Sequence, residues 1–214
     1  MGYTHYWYRK EELDEKKFSQ IRIDFLKVKG ILEEHYKVNL AGPNGEGDPV
    51  ISKDEIMFNG DAKCGHPEQS LGITWPSEHA SGVANQYTEN VKDGKWFAGA
   101  QLSQRTCGGD CSHEGAILRR VFKKLSYSQT NDDGLHFSFC KTAFKPYDLA
   151  VLCLLIIAKH RLGDDISVSS DGTDAQWYDG KYVCHMMLGY GFEYCIDEKE
   201  GKLVKREVKS NDKI

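Results

Sequence analysis

The feature that most constrains the fold is an uninterrupted apolar run, Leu149 to Ala158, which follows Pro146-Tyr147-Asp148. Proline is favoured at the first position of a helix, and the glycine of Arg161-Leu162-Gly163 supplies a stop signal. A helix that is apolar on every side belongs in the middle of a core. The run covers only about half of the length that a membrane span needs, so the sequence predicts a buried helix.

Two further helices and several short strands are predicted around this helix. Residues 11–36 carry apolar side chains at three- and four-residue steps, which is typical of an amphipathic helix. An aromatic-rich helix is predicted over Ala175–Leu188. Strands are predicted over Thr4–Trp7, Glu55–Asn59, Trp96–Leu102, Ala116–Phe122, Leu135–Lys141, Ile166–Ser170 and Phe192–Ile196. The fold class is therefore α+β, a single domain with a mostly antiparallel sheet of about five to six strands packed by three helices.

The chain length predicts one domain and a charged tail. The 214 residues suffice for one good core and are too few for two large ones. We assign residues 1–196 to a single α+β domain and expect residues 197–214, which are rich in charge, to fray. Residues 60–94 are polar and glycine-rich without a clear period, and a loop of that length is usually functional, metal-held or mobile.

Charge and cysteine usage bear on partners and compartment. The 28 Lys and Arg against 32 Asp and Glu give a net charge of −4, which leaves no broad basic surface and disfavours nucleic acid as a partner. The first ten residues are aromatic and then charged, unlike a signal peptide. Seven cysteines leave at least one thiol unpaired. These features predict a cytoplasmic protein with reduced or metal-bound thiols and, together with the short apolar run, no membrane association. A small-molecule ligand is expected from the polar residues described below, and the oligomeric state is left open.

The strongest metal-like feature is a set of cysteines and histidines in glycine-rich surroundings. Zinc takes four nitrogen or sulfur donors in a tetrahedron, and this set supplies five: Cys64, His66, Cys107, Cys111 and His113. The Cys-x3-Cys spacing and the gap of about forty residues match no common zinc module. A redox-active pair of Cys107 and Cys111, or free loop cysteines, remain as alternatives. A structural zinc is the one cofactor that the residues suggest, with Cys64, His66, Cys107 and Cys111 as its ligands.

Candidate catalytic groups lie where a strand runs into the buried helix. Helix N-termini attract anions and lower thiol pKa values, which makes Cys140 a candidate nucleophile. His113 and Glu114 form a candidate acid–base pair, although adjacent strand residues face opposite sides. The alternatives are that Cys140 is a small core residue, that Asp148 caps the helix and that the nearby lysines are solvated.

Polar and aromatic residues in the same regions are candidate ligands of a substrate. The predicted substrate-binding residues are His5, Trp7, Lys141, Thr142, Lys145, Tyr147, Asp148, Ser170 and Asp171. Packing of an aromatic first strand and a turn before a helix N-cap explain several of them equally well. Their pocket would lie where the Thr4–Trp7 strand, the Cys111–Glu114 segment and the Cys140–Asp148 junction meet.

Several short motifs occur together along the chain. They are Gly2-Tyr3-Thr4-His5-Tyr6-Trp7, Phe58-Asn59-Gly60, Cys107-Gly108-Gly109-Asp110-Cys111-Ser112-His113-Glu114, Phe139-Cys140-Lys141-Thr142, Lys145-Pro146-Tyr147-Asp148, and Ser169-Ser170-Asp171-Gly172 ahead of Trp177. In combination the chain resembles an uncharacterised family of small phage, bacterial and fungal proteins of the GYTHYW type, and its cysteine motif is similar to the fungal branch. Phe144 departs from the basic residue expected there. The resemblance implies membership without an activity, and it adds weight to the polar residues of these motifs.

Two functions follow as hypotheses. The first is a small cytosolic enzyme that acts on a small polar or anionic metabolite, with Cys140, His113, Glu114 and nearby lysines in one pocket. The second is a non-catalytic small-molecule or protein-binding module with a zinc-stapled loop. The absence of a Walker loop, a dinucleotide fingerprint and a Gly-x-Ser-x-Gly elbow leaves phosphate-driven and serine-hydrolase chemistry without support.

Overall fold

The predicted buried helix lies at the centre of the core. The computed structural model describes residues 3–34, 38–64, 105, 107, 109–124, 126 and 128–206. In it helix α2, Asp148–Leu162, is buried at every position from Asp148 to Ala158. Helix α1, Glu15–Glu34, and helix α3, Asp174–Leu188, both pack against α2. The described residues thus form an α+β fold with three α-helices, as predicted.

Helix α1 confirms the amphipathic pattern. Its buried face consists of Phe18, Ile21, Asp24, Phe25, Val28 and Leu32. It begins later than predicted, because the Asp14 side chain accepts a hydrogen bond from the backbone N–H of Lys17 at 2.9 Å, as an N-cap does. Leu13, directly before this cap, donates its own N–H to the carbonyl of Arg120 instead.

A three-stranded antiparallel sheet brings distant motifs side by side. Its central strand is β1, Thr4–Arg9, which pairs with β6, His136–Lys141, and with β7, Ile166–Ser170. His5 lies opposite Cys140 on one neighbour and opposite Ser170 on the other. His5 and Trp7 are buried on the face towards the helices, whereas Tyr6 and Tyr8 lie on the outer face.

Smaller sheets complete the fold. β4, Glu55–Gly60, pairs with β2, Leu40–Ala41, with β3, Val50–Ile51, and with β5, Ala116–Arg119. β8, Tyr194–Ile196, pairs with β9, Leu203–Lys205. The described residues therefore hold nine short strands, more than the five to six predicted. The predicted strand Trp96–Leu102 lies outside the described residues.

The tail differs from the prediction up to residue 206. Strand β9 forms within the segment expected to fray, and Leu203 is only 2 % exposed. The N–H of Ser170 also donates to the carbonyl of Gly201 at 2.9 Å. The burial of Leu203 and the backbone hydrogen bonds therefore order this segment, although most of its residues are charged.

None of the helices in the described part of the chain combines the length and apolar character that a membrane crossing requires.

Candidate metal centre and the buried ion cluster beside it

Three cysteine side chains converge where β4 ends. The Sγ atoms of Cys64 and Cys107 are 3.3 Å apart, as are those of Cys107 and Cys111, and all three lie within 4.8 Å of one another. With Zn–S bonds of about 2.3 Å, a tetrahedral site places its sulfurs roughly 3.8 Å apart. Cys107 and Cys111 are buried and Cys64 is half-buried, and all seven cysteines are free thiols. The thiol cluster, Cys64, Cys107 and Cys111, therefore has the spacing of three ligands to one metal ion.

Burial and mutual proximity disfavour the charged form of these thiols. Burial raises the pKa of Cys111 above its ordinary value, and the neighbouring thiols of Cys107 and Cys64 raise it further. Burial likewise raises the pKa of Cys107. A metal ion among three such thiols stabilises their deprotonated form, because a coordinating thiol gives up its proton.

Close backbone packing seats the cysteine turn, which we define as Cys107 and residues 109–113. A Cβ placed on Gly60 would collide with the carbonyl of Cys111, so only glycine fits at the end of β4. The N–H of Cys111 donates to the carbonyl of Asp61 at 3.1 Å. The strand end and the turn are thus in direct backbone contact.

The Asn59 side chain fastens the far end of the cysteine turn. Its Nδ2 donates to the carbonyls of His113 at 2.8 Å and Pro43 at 3.1 Å, and its Oδ1 accepts from the N–H of His113 at 3.0 Å. Asn59 is buried, and these contacts use both ends of its amide. They give a structural reason for the Phe58-Asn59-Gly60 motif.

Lys145 holds the start of the same turn. Its Nζ donates to the carbonyl of Cys107 at 2.7 Å and to the carbonyl of Asp110. The chain reaches this position through Ala143 and Phe144, whose φ angles of 50° and 56° lie in the left-handed region. Lys145, predicted as a ligand of an anionic substrate, therefore binds the backbone of the cysteine turn.

The predicted catalytic residues lie next to one another but are engaged in structural contacts. Cys140 is fully buried, its Sγ contacts the carbonyl of Glu114 at 3.2 Å, and burial raises its pKa. Tyr147 donates its hydroxyl to that same carbonyl at 2.6 Å, while the Glu114 carboxylate accepts from the N–H of Lys141 at 2.8 Å. This environment favours the alternative in which Cys140 is a small core residue.

His113 is exposed, and its ring is not among the described groups that converge on the thiol cluster. Its Nδ1 donates to the carbonyl of Lys141 at 2.7 Å, since a carbonyl oxygen can only accept. Neighbouring Glu114 uses its carboxylate on the N–H of Lys141, so both side chains bind one strand end. The predicted metal ligand His66 lies outside the described residues.

Four side chains, those of His5, Arg105, Asp148 and Asp179, form a buried ion cluster. Its member Arg105 precedes Cys107 of the thiol cluster by two residues. Asp148 Oδ1 accepts from His5 Nε2 and from Thr142 Oγ1, both at 2.7 Å. Its Oδ2 accepts from Nε of Arg105 at 3.2 Å, and that guanidinium also pairs with Asp179 at 2.6 Å. Every one of these side chains is fully buried. The Asp148 carboxylate thus binds His5 and Arg105, and no side-chain cap bond is made at the start of α2.

The charges of the buried ion cluster compensate one another. Burial by itself would raise the pKa of Asp148, but His5, Arg105 and Thr142 together hold it below its ordinary value. Burial would likewise lower the pKa of Arg105, and the two carboxylates outweigh it and raise that pKa. Asp148 and Arg105 are therefore both charged in the core, as buried pairs with good geometry are.

Ser170 and Asp171 complete the contacts of β1. Ser170 Oγ lies 2.9 Å from Nδ1 of His5 and accepts from the N–H of Gly172, and Asp171 accepts from the N–H of Thr4 at 3.1 Å. Helix α3 follows directly, with a capping box formed by Thr173 and Gln176. The Ser170-Asp171 turn therefore serves both as a helix start and as a contact of the buried ion cluster.

The structure brings together most of the predicted site residues, although the core encloses several of them. His5, Trp7, Cys140, Thr142, Tyr147 and Asp148 are all buried. Sequence reasoning missed Arg105 and Asp179. Asp179 lies three and four residues before Tyr182 and Val183, on the same buried face of α3. An acid on an apolar helix face is a signal that sequence reasoning can use, because a buried carboxylate requires a cation. No local pattern marks Arg105.

Comparison with protein-family models, with curated proteins and with solved structures gives no match for this chain. The resemblance to the GYTHYW-type family stays a prediction.

Proposed function

We propose that this protein is a cytosolic binding module in which Cys64, Cys107 and Cys111 bind one structural zinc ion. The convergence of three thiols from two distant parts of the chain is the observation that carries this proposal. A metal held there joins the two ends of residues 65–106. Closing a long loop in this way stabilises the fold, because it removes chain entropy from the unfolded state.

The donor set favours zinc over other metals. Thiolate-rich sites select zinc, copper(I) or iron–sulfur clusters, whereas magnesium and calcium prefer oxygen. A buried tetrahedral site with several cysteines is typical of structural zinc, whose fourth ligand also comes from the protein. His66 is the fourth ligand that the sequence predicts, and water is the alternative.

The third thiol argues against a simple redox pair. Cys107 lies 3.3 Å from Cys64 and equally far from Cys111, so no one pair is singled out by distance. A disulfide between any two would leave the third thiol beside it. One ion with three ligands uses all of them.

The contacts around the cysteine turn favour a binding module over an enzyme. Lys145 and Tyr147 were predicted to bind a substrate and Glu114 to belong to an acid–base pair, and each of the three makes hydrogen bonds to the cysteine turn or to the strand beside it. Cys140 is buried among them with a raised pKa, which disfavours it as a nucleophile. The enzyme hypothesis stays a prediction that turnover assays of Cys140→Ala and His113→Ala can test.

The test is the zinc content of protein purified under reducing conditions, measured by mass spectrometry of the metals. We expect stoichiometric zinc, and cysteines 64, 107 and 111 protected from a thiol reagent until the protein is denatured. Cys64→Ser, Cys107→Ser and Cys111→Ser should each lose the metal. Cys195→Ser is the matched control, since this half-buried thiol takes no part in the cluster. His66→Ala decides between a histidine and a water as the fourth ligand.

Zinc far below stoichiometry in well-folded protein would overturn the proposal. A non-reduced peptide that joins Cys107 to Cys111 would replace it with the redox pair. Retention of zinc by all three serine variants would show that the metal binds elsewhere.

A further inference from the structure

A second site lies in a cleft between β5 and the outer edge of β6, away from the thiol cluster. The cavity measures about 370 Å³, within the range of small-molecule pockets. The described residues of its lining include Arg9, Arg119, Phe122, Lys123, Phe137 and Phe139, and none of them is acidic. We refer to it as the β5–β6 cleft.

Arg9 is the unusual member of this lining. Its side chain is 1 % exposed, and its NH2 group donates to the carbonyls of Glu11 at 2.9 Å and Arg120 at 2.8 Å. Its Nε has no hydrogen-bond partner, and none of the ion pairs among the described residues includes Arg9. Burial lowers the pKa of Arg9 to about 10, so the guanidinium is still charged at neutral pH.

A fully buried arginine is normally paired with an anion. Glu11, whose carbonyl accepts from Arg9, pairs its carboxylate with Lys124 at 2.8 Å, and Glu55 pairs with the lining residue Arg119 at 3.1 Å. Besides Arg9 and Arg119, the cleft has one exposed basic side chain among its described residues, Lys123. The charges of the described residues thus leave room for one external anion beside Arg9.

Aromatic rings form the other part of the lining. Phe139 is 52 % exposed and stacks on Phe137, with ring centroids 5.8 Å apart. Phe122 lies beneath the Arg9 guanidinium at 5.8 Å. Exposed, ordered rings of this kind offer a flat apolar surface on which a second ring can stack.

The edge of β6 adds a backbone donor. The N–H of Phe137 donates outwards to Gln129, and the carbonyl of Lys141 accepts from Glu114, so alternate residues of β6 face away from β1. Phe139 lies between these two positions. Its N–H and carbonyl therefore face the cleft, where the described residues provide no backbone partner.

We propose that the β5–β6 cleft binds a small molecule in which a planar ring is joined to a phosphate or a carboxylate. Phe137 and Phe139 lie opposite Tyr8 and Tyr6 on the outer face of the sheet and Arg9 lies on the inner face, so the ligand spans the edge of β6. Its ring packs against Phe139, and its oxyanion faces Lys123 and the partnerless Nε of Arg9, since the NH2 group of Arg9 is already used on two carbonyls. This site names a ligand class for the proposed binding module. It does not depend on the metal, since none of its lining residues belongs to the thiol cluster.

The experiment is a calorimetric titration of the full chain with phenyl phosphate and with benzoate. Two control probes each carry one half of the ligand: inorganic phosphate lacks the ring, and phenol lacks the negative charge. We expect at least one ring-bearing oxyanion to bind at least about tenfold more tightly than either half alone, because each half contributes separately. Which of the two binds better identifies the oxyanion.

Substitutions at exposed lining residues test the site without the risk that the variant fails to fold. Phe139→Ala should weaken binding about threefold to tenfold, from the loss of ring stacking. Lys123→Ala should weaken it about threefold. Lys124→Ala is the matched control, because it removes the same charge one residue away from a side chain that does not line the cleft. Arg9→Gln should abolish binding, and a circular dichroism spectrum shows whether that variant is folded.

Absence of binding by both ring-bearing probes would overturn the proposal, as would an equal effect of Lys123→Ala and Lys124→Ala. Tighter, strongly salt-dependent binding of an oligothymidylate would also overturn it and assign the exposed rings to single-stranded nucleic acid. The same titration with Cys107→Ser separates the two proposals: binding retained without zinc supports the cleft, whatever the fate of the metal site.

Discussion

The buried ion cluster and the thiol cluster receive the same stretch of chain but are completed in different ways. Arg105 enters the first and Cys107, two residues later, enters the second. In the first, Asp148 and Asp179 meet the charge of Arg105 inside the chain itself. In the second, three thiols converge, and Lys145 beside them binds backbone carbonyls of the cysteine turn. The comparison teaches that one region completes its charges with its own side chains, whereas the other brings together three donors with the spacing that one metal ion requires.

The largest expected effect comes from breaking the buried ion cluster. Asp148→Asn removes the charge that binds both His5 and Arg105, and breaking a buried pair costs about 3–5 kcal/mol in the free energy of unfolding. Urea unfolding measures this loss. Asp165→Asn is the control, because Asp165 pairs with exposed Lys10 and Lys17 and should cost less than about 1 kcal/mol. Equal losses for the two variants would show that the buried cluster does not stabilise the fold.

Removing one thiol should act through the metal. Cys107→Ser is expected to lower the free energy of unfolding by about 2–4 kcal/mol, the usual effect of a link that closes a long loop. A chelator should reduce the stability of the unchanged protein by a similar amount and leave Cys107→Ser unaffected. Cys195→Ser should respond to the chelator as the unchanged protein does. A chelator effect that persists in Cys107→Ser would contradict the assignment of the site.

A glycine pair tests how tightly the cysteine turn is seated. Gly60→Ala should cost about 1–3 kcal/mol and weaken zinc binding, because its Cβ would displace the Cys111 carbonyl. Gly30→Ala in α1 has open space around the new Cβ and should stabilise the protein by about 0.5–1 kcal/mol. Thermal unfolding with zinc titration follows both. Unchanged zinc affinity in Gly60→Ala would show that the packing of the cysteine turn against Gly60 does not support metal binding.

A lysine pair gives the smallest expected change. Lys145→Met removes the bonds to the Cys107 and Asp110 carbonyls and should cost about 1 kcal/mol together with some zinc affinity. Lys159 makes a similar pair of bonds to the carbonyls of Gly163 and Ile166 at the other end of α2. Lys159→Met should therefore reduce stability without changing zinc affinity, and a competition assay with a coloured chelator measures the difference. Equal zinc affinity in the two variants would make Lys145 a general stabilising contact.

Local patterns in the sequence determined the framework of this protein. The apolar run of α2 and the periodic face of α1 predicted their own burial, because a side chain's preference for the core is set by its own chemistry and spacing. The same holds for the cysteines, since closely spaced thiols in glycine-rich turns are recognisable without a fold. The sequence accordingly predicts Cys64, Cys107 and Cys111 as ligands, and their Sγ atoms lie within 4.8 Å of one another.

Only the tertiary structure decided what the polar residues do. Arg105 lies 43 residues from Asp148 and 74 from Asp179, so their pairing leaves no trace in any local period. Lys145 and Cys140 looked like members of a reactive site, yet their burial and partners depend on where distant backbone passes. The charge of Arg9, which forms no ion pair among the described residues, is likewise visible only once β1 and β6 are set side by side. Apolar burial is a property of single residues in a periodic pattern, whereas charge compensation is a property of pairs that only the fold brings together.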